Sequence, residues 1–595
     1  YSYFNEVNNS SSRNRLFGDI DLTYKFDNHF KIRTTVRRNQ LMTYAENITT
    51  SIIEESGLQT GELAGYSTSS TNLQRMDYEL LGFYNNTFGD FAVNASFGGN
   101  IFTYKYNDVS ANTNNGLNVP GLYAITNSKA NASIGNARDR QQVNSLLGSF
   151  DVEYKKFISL TFAGRQDWSS TLSPSKPSLF YPSAGASLIF SQLFTDRPSW
   201  FSFGKIFGSW GKKPESLGIY ATNFTYGVNQ FQWGSNFLMS TPDNYPDPKL
   251  QGALIQTIEA GIDLRFVKNR IGLNVIYFNE VADKIPVSVA LSGVSGFTTT
   301  QINAAKVERQ GIELVLNGRV ASNANFTWDL STNFSYLIKN PVKEIVEGQN
   351  QILLSGGAFG TRMARAFQVK GEDWGQLIGG GIKRNANGDP IVDPTSGLYL
   401  NDVDKRWGSI VPKYNGGFLS NMNYKSFTFG FSLEYQFGGK FFSLSEMWGH
   451  YSGLFGKTAS LNDKGINVRT PVADGGGVHV IGVSSADEKT VVDTYVDAQT
   501  YYHSFYDRQV AEPYVHSLSF VKLREVSLGY MIPVKRIGNL GKYVQGAHFS
   551  VVARNPWLIW SDSKNFDPSE ISNVYGEDGQ LPGTRGLGVN LKLNF

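Results

Sequence analysis

Cysteine is absent from the 595 residues. That excludes disulfide scaffolds, thiol catalysis and cysteine-based zinc sites. Histidine is scarce, and His29, His450, His479, His503, His516 and His548 form no HExxH or paired-ligand pattern. No GxSxG elbow is present, and carboxylates are scattered, with pairs such as Glu54-Glu55 in polar connecting stretches. The sequence therefore reads as a non-enzyme with no catalytic, cofactor or metal residues. Charge is also sparse, at 18% of residues, against about 25% in ordinary soluble proteins. It is nearly balanced, 54 Lys+Arg against 51 Asp+Glu, which excludes the concentrated basic footprint of a nucleic-acid partner. No run of 18 apolar residues occurs, so a helical membrane span is excluded. The opening YSYFNEVNNSSSRNR has no initiator Met, no basic n-region and no apolar h-region. The chain is expected to be a fragment of a longer protein.

Glycine and aromatics are what the sequence has in quantity: 61 Gly, 41 Phe, 30 Tyr and 10 Trp. Strands favour aromatic side chains and turns favour glycine. The dominant signal is period two. Near the C-terminus Leu587, Val589, Leu591, Leu593 and Phe595 share one face, opposite Gly588, Asn590, Lys592 and Asn594. In SFTFGFSLEYQF the apolar face is Phe427, Phe429, Phe431, Leu433, Tyr435 and Phe437. Many such segments run 11 to 17 residues, whereas soluble strands are usually about 5–6. A tilted strand of about 9–11 residues spans a bilayer.

Connection lengths alternate. Very short turns fall at Asp27-Asn28, Gly89-Asp90, Lys155-Lys156, Lys268-Asn269 and Lys425-Ser426. Long polar stretches lie between strands at 39–71, 107–137, 212–253, 281–305, 339–412, 451–514 and 561–583. Short periplasmic turns and long extracellular loops are the layout of an outer-membrane barrel. Candidate strands lie near 14–26, 29–38, 72–88, 91–106, 138–154, 157–168, 181–193, 201–211, 254–267, 270–280, 306–321, 325–338, 413–424, 426–449, 515–532, 546–560 and 584–595. The expected fold is thus all-β, a transmembrane antiparallel β-barrel with 17 visible strands. Closed bacterial barrels have even strand numbers, so an odd number should precede residue 1. Five more would make about 22, the class of plugged transporters. No linker or second domain is read within 1–595.

Several blocks resemble the SusC/RagA-type TonB-dependent transporters of Bacteroidota outer membranes. RQQVNSLLGSFDVEYKKFISLTFAGRQDWSS at 140–170 is similar to that family's paired strands and corner, and YPSAGASLIFSQ follows at 181–192. DPKLQGALIQTIEAGIDLRFVKNRIGLNVIYFNEVADKI at 247–285 resembles the block opening a long hairpin, with Gln256-Thr257-Ile258-Glu259 departing from the family's pattern. INAAKVERQGIELVLNGRV at 302–320 carries Ala305 where the family has glycine. SLSFVKLREVSLGYMIP at 517–533 and the terminal GLGVNLKLNF complete the ordered set. The resemblance implies a longer protein with a signal peptide, an N-terminal extension, a TonB box, a plug and first strands, none of them in this chain. It implies a SusD-like lipoprotein lid, energy from TonB-ExbB-ExbD through the missing N-terminal part, outer-membrane lipid around the barrel, and a dimer of barrel–lid pairs.

The resemblance also assigns Phe595 as the outer-membrane insertion signal, beside its plain reading as a lipid-facing strand end. Loop residues Trp374, Trp407, Trp448, His450, Tyr451, Tyr501 and Tyr502 are candidates for substrate or partner contact, since aromatic faces stack on sugars and bury peptide side chains. Packing of loops against each other is the plainer reading. Tyr104, Tyr106, Trp168, Tyr181, Trp210, Tyr277, Tyr336, Tyr435, Trp557 and Trp560 are candidates for interfacial girdles, with about half expected to serve. Asn385–Asp389 reads as a hairpin turn rather than a calcium loop, and Gly475-Gly476-Gly477 is no phosphate cradle. The expected function is TonB-dependent uptake of an oligomeric nutrient, glycan or peptide. A non-transporting scaffold of the same barrel type is the alternative, and an open porin is disfavoured by the strand number.

Overall fold

The computed structural model describes residues 6–55, 63–355, 363–533, 538, 543–571, 574, 576–579 and 582–594. Among these, 17 long strands follow one another: β1 (Val7–Lys25), β2 (Phe30–Thr49), β3 (Gly65–Phe88), β4 (Phe91–Leu117), β5 (Ser128–Tyr154), β6 (Ile158–Ser169), β7 (Ser178–Leu188), β8 (Phe201–Pro214) and β9 (Leu254–Phe266) come first. They continue with β10 (Ile271–Ala290), β11 (Thr299–Ser322), β12 (Phe326–Lys339), β13 (Pro412–Tyr424), β14 (Phe427–Gly438), β15 (Phe520–Ile532), β16 (Gly546–Ser561) and β17 (Gly586–Asn594). Each coincides with an expected strand. The differences are at their ends. The stretches 39–71 and 107–137, read as loops, are largely strand in β2 to β5. The strand expected over 426–449 ends at Gly438, and a helix begins at Leu444.

The short turns are built as their sequences require. Asp27 Oδ1 accepts the backbone N–H groups of His29 and Phe30, each at 2.7 Å. At the β5–β6 turn both Lys155 and Lys156 are left-handed, with φ of 48° and 60°. That is the geometry whose twist matches a two-residue hairpin. The ion pair of Lys155 with Asp90, at 3.4 Å, braces it.

The chain packs as two compact units. The first comprises 1–188, 209–256 and 284–303. In it β1 to β7 form an antiparallel meander, each strand bonded to the next, from Val7↔Thr49 at one end to Trp168↔Ser178 at the other. One face of this meander is polar and cross-linked. Arg33 pairs with Glu79 at 3.3 Å and Arg37 with Asp77 at 3.5 Å. Arg165 pairs with Asp167 at 2.7 Å, and Tyr181 donates to the same carboxylate. The other face presents Leu80, Phe97, Ile101, Leu146, Phe150, Leu160 and Phe162, all exposed. An uncovered apolar band of that length would aggregate in water and is stable against lipid.

The second unit comprises 189–208, 257–283 and 304–595. Here β11 to β17 form the wall, each bonded to its successor. On β14 the odd residues Phe427 to Phe437 keep one apolar face. They are matched on β15 by Val521 and Leu523, then by Val526, Leu528 and Tyr530. A bulge at 523–525 produces that change of phase. The extra residue keeps the apolar face continuous while Lys522 and Arg524 point to the other side.

The structure divides the expected girdle residues. Trp168, Tyr277, Trp557 and Trp560 are exposed, and Trp560 packs against Phe437 with ring centroids 6.1 Å apart. Tyr104 instead lies under the Arg75 guanidinium, and Tyr181 belongs to the polar network just described.

The dry core of the second unit is not between its strands. It is in the long connections. Met363, Leu377, Phe442, Leu444, Met447, Phe505 and Tyr514 form its centre, and each is buried. The connections hold a four-stranded sheet from 351–355, 364–369, 376–382 and 401–409, and a second from 391–393, 398–399, 478–484 and 491–496. Two helices, α1 (Leu444–Tyr451) and α2 (Ala498–Asp507), pack between them. We refer to this assembly as the loop body. Asn385–Asp389 is a turn: Asn385 Oδ1 accepts from Asn387 and Asp389 N–H, and Gly388 is left-handed.

Candidate functional site

Each helix of the loop body is capped by the residue before it. The Ser443 hydroxyl accepts from Glu446 N–H at 3.2 Å, and the Asp497 carboxylate accepts from Thr500 N–H at 3.0 Å. Capping fixes where each helix starts, and so which side chains meet. The meeting surface is aromatic. Tyr451 and His503 stack with centroids 3.8 Å apart and planes at 5°. His450 stacks on Tyr502 at 5.5 Å, and Trp448 packs against Tyr506 at 5.0 Å. Tyr501 meets Phe505 edge-on at 5.2 Å.

A solvent-open cavity of about 600 Å³ lies at the end of this helix pair. His450, Tyr451, Tyr502 and His503 supply aromatic wall, and Asp497, Gln499 and Ser452 supply polar rim. Arg469 also lines it. Its guanidinium is committed to the carbonyls of Thr458 and Gly453, so it holds the floor together. His450 is only 6% exposed, and its Nδ1 has no hydrogen-bond partner among the described residues. Burial pushes this imidazole below its ordinary value, against the opposing pull of Glu446, so the ring is neutral at pH 7. Aromatic planes beside amide, hydroxyl and carboxylate groups can hold a polar molecule with flat or ring-shaped apolar faces.

Of the seven aromatic and histidine candidates from the sequence, the fold gathers five on the helix pair: Trp448, His450, Tyr451, Tyr501 and Tyr502. His450, Tyr451 and Tyr502 reach the cavity. Trp407 packs on the same core from 401–409. Trp374 stands apart in a turn, where its N–H bonds Asn340 carbonyl at 2.7 Å and its carbonyl accepts Ser409 hydroxyl. Phe595 lies outside the described residues. Sequence reading missed His503, Asp497 and Gln499, because nothing local marks a residue that matters by facing a helix more than 45 residues away.

Two buried polar clusters hold the last connection against the rest. Lys522 Nζ, on a side chain 3% exposed, bonds Asp567 at 2.6 Å, Ser569 at 2.9 Å and Glu570 at 2.9 Å. Glu577 accepts from Ser443 hydroxyl, Ser445 N–H and Gly579 N–H at 2.7–2.9 Å. Glu446 of α1 pairs with His516 and takes a bond from Asn565 at 3.1 Å. Burial works to raise the Glu446 carboxyl, but the bond and charge of His516 outweigh it, and the group sits below its ordinary 4.5.

A depressed carboxyl stabilises the fold above its unfolded value, and the contribution is lost as pH falls through the lower folded value. Hydrogen exchange of Leu444–Tyr451 is therefore expected to be slow and flat from pH 7 to 5, after correction for intrinsic rates. Protection should drop below about pH 4. In Glu446→Gln that acid step should vanish. An unchanged acid step in the variant would remove Glu446 from the account.

With the geometry in place, comparison with known proteins gives a consistent answer. Residues 1–448 match the family described as TonB dependent receptor-like, beta-barrel. The chain is 23% identical over 635 aligned residues to TonB-dependent receptor P26 of Formosa agariphila, covering 99% of the chain and 60% of that receptor. It is 23% identical over 394 residues to TonB-dependent receptor SusC of Bacteroides thetaiotaomicron, covering 63% of the chain and 35% of SusC. In structure it is similar to a chain of the RagAB peptide importer in its open-open state, with TM-score 0.78 and 16% identity. That match covers 100% of this chain and 62% of the other. The chain thus spans 60% or less of the length of these curated relatives. They are receptors of the outer membrane and not enzymes. The exposed apolar bands, the polar opposite faces and the match over 1–448 together place this protein: the chain belongs to the TonB dependent receptor-like β-barrel family, integral to the outer membrane, and is similar to its SusC and RagA type.

Proposed function

We propose that the chain supplies 17 strands and the loop body of a 22-strand barrel that imports an oligomeric nutrient with energy from TonB-ExbB-ExbD. A SusD-like lipoprotein covers the loop body on this reading, and a plug from a preceding segment closes the lumen. Two barrel–lid pairs form the working assembly, and Phe595 marks the chain for outer-membrane insertion. The observation that carries the reading is the loop body itself. It has its own dry core, rigid capped helices and a solvent-open cavity walled by Tyr451 and His503. An open pore needs no such structure, whereas a receptor that captures cargo before transport does. Glycan and peptide both fit a cavity of aromatic faces and polar rim. The name of the RagAB importer adds weight to peptide.

Gentle extraction followed by intact-mass measurement tests the proposal. A co-purifying lipoprotein with bound oligosaccharide or peptide is the expected result. A stable assembly with other outer-membrane machinery and no cargo would leave the barrel as a scaffold and overturn the importer. The paired change Tyr451→Ala and His503→Ala should weaken cargo binding about tenfold. Heat-modifiable gel migration should stay that of the folded barrel. Unchanged cargo binding would take the cavity out of the function.

A further inference from the structure

The wall of the second unit has a defect in its apolar face. On β11 and β12, Leu314 lies opposite Phe334, Leu316 opposite Thr332 and Gly318 opposite Leu330. These residues share the apolar face. The alternate residues Asn317 and Arg319 oppose Ser331 and Asp329 on the polar face. At Gly318 the apolar row has no side chain, and a Cβ built there would meet nothing within 4 Å. The gap opens into a groove of about 500 Å³ lined by Ile271, Leu316, Val320, Leu330 and Phe418. Thr332 adds no free hydroxyl to it, since that group is bonded to the Gly417 carbonyl at 2.9 Å.

The groove runs to the short turn between β9 and β10, whose residues Val267 and Arg270 form its end. Lys268, also in that turn, lines a separate polar cavity with Asp263, Arg265 and Asp329. Among the described residues no carboxylate lies within ion-pair distance of Arg270. Nearby Arg319 is different, because Asp329 holds it on the polar face at 2.8 Å. Arg319 N–H donates to the Arg270 carbonyl at 2.8 Å, and one N–H of the Arg270 guanidinium donates to the Arg319 carbonyl at 3.3 Å, which fixes the turn against β11. A fixed apolar slot on a bilayer-facing wall, ending in the Arg270 guanidinium at the turn side, matches one kind of molecule.

We propose that this groove binds an anionic diacyl phospholipid. One acyl chain fills the slot at Gly318, and the head-group phosphate is held by Arg270. The wall's apolar face is continuous with the groove, so the lipid needs no separate route of entry. Acyl burial supplies retention without regard to charge. The Arg270 cation supplies preference for a net negative head group, about fivefold at a membrane surface. The geometry separates these contributions onto different residues, which makes them separable by experiment.

The test uses the full chain, extracted gently, stripped of lipid and offered dioleoylphosphatidylglycerol or dioleoylphosphatidylcholine. Native mass spectrometry under rising collision energy reads how many lipids stay. Wild type is expected to keep one phosphatidylglycerol after the annular lipids are lost, at least fivefold more often than phosphatidylcholine. Gly318→Leu should fill the slot and abolish retention of both. This variant has room for its side chain, and unchanged heat-modifiable migration will confirm its fold. Arg270→Gln should keep retention and lose the preference. Equal retention of the two lipids by wild type, or undiminished retention in Gly318→Leu, would overturn the proposal.

Discussion

Lys522→Met is expected to release the last connection of the loop body while leaving the wall folded. The lysine is buried and bonded to Asp567, Ser569 and Glu570. Methionine keeps much of the volume and removes the charge. Two carboxylates then share a partly dry site with only the Arg524 guanidinium, 3.6 Å from Glu570, as counter-charge. Breaking a buried pair from one side costs about 3–5 kcal/mol, more than the local stability of most surface segments. Burial tends to raise the Asp567 carboxyl, and the Lys522 ammonium together with hydrogen bonds from Ser569 more than offsets that and holds it low. Without the lysine the Ser569 bonds remain but the pull of the ammonium is gone, so Asp567 should take up a proton at a higher pH. Limited proteolysis should show new cleavage within 561–579, and hydrogen exchange should rise there and in Leu444–Tyr451, which the same segment braces through Asn565. Heat-modifiable migration should not change. Protection of 561–579 equal to wild type would mean that the cluster contributes nothing net.

A charge on the apolar face gives the second large effect. Phe162 is 51% exposed, with Phe150 and Ala184 beside it on the same face. Its strand neighbour two residues on, Leu160, is exposed as well. Phe162→Arg should destabilise the protein by about 2–4 kcal/mol in a bilayer, the range for a cation at the midplane of an outer-membrane barrel. Urea-driven unfolding from vesicles would measure it. Ser159→Arg, three residues away and so on the polar face opposite Glu153, should cost less than about 1 kcal/mol. The contrast is the informative part. Similar losses at both positions would mean that the two faces do not meet different solvents.

These two expectations draw on different kinds of information. The faces of β6 are legible in its sequence, because a strand's side chains alternate and the bilayer imposes an apolar row on one side. The same rule located all 17 strands, and the paired polar residues at Asp27-Asn28 and Lys155-Lys156 marked where the chain turns. The rule fails where its physical cause ends. Beyond the bilayer both faces of a strand meet water, so alternation is lost. Residues 39–49 and 65–71 therefore look like loop and are strand. The run over 439–449 fails in the opposite way. It is aromatic enough to continue β14, yet Ser443 caps a helix there because Glu446 N–H is within its reach.

Sequence alone determined the class: no cysteine, no long apolar run, period-two faces and alternating connections leave only a membrane barrel. It also supplied an aromatic set rich enough to contain the cavity wall. Only the tertiary structure decided which of those aromatics act together. Tyr451 meets His503, and Lys522 meets Asp567 and Glu570, across about 45 to 52 intervening positions. No local pattern encodes such meetings, since they depend on how caps, bulges and buried charges orient whole segments. The bulge at 523–525 is the clearest instance. It adds one residue to β15, and so turns Lys522 away from the lipid and toward the carboxylates that hold the loop body closed.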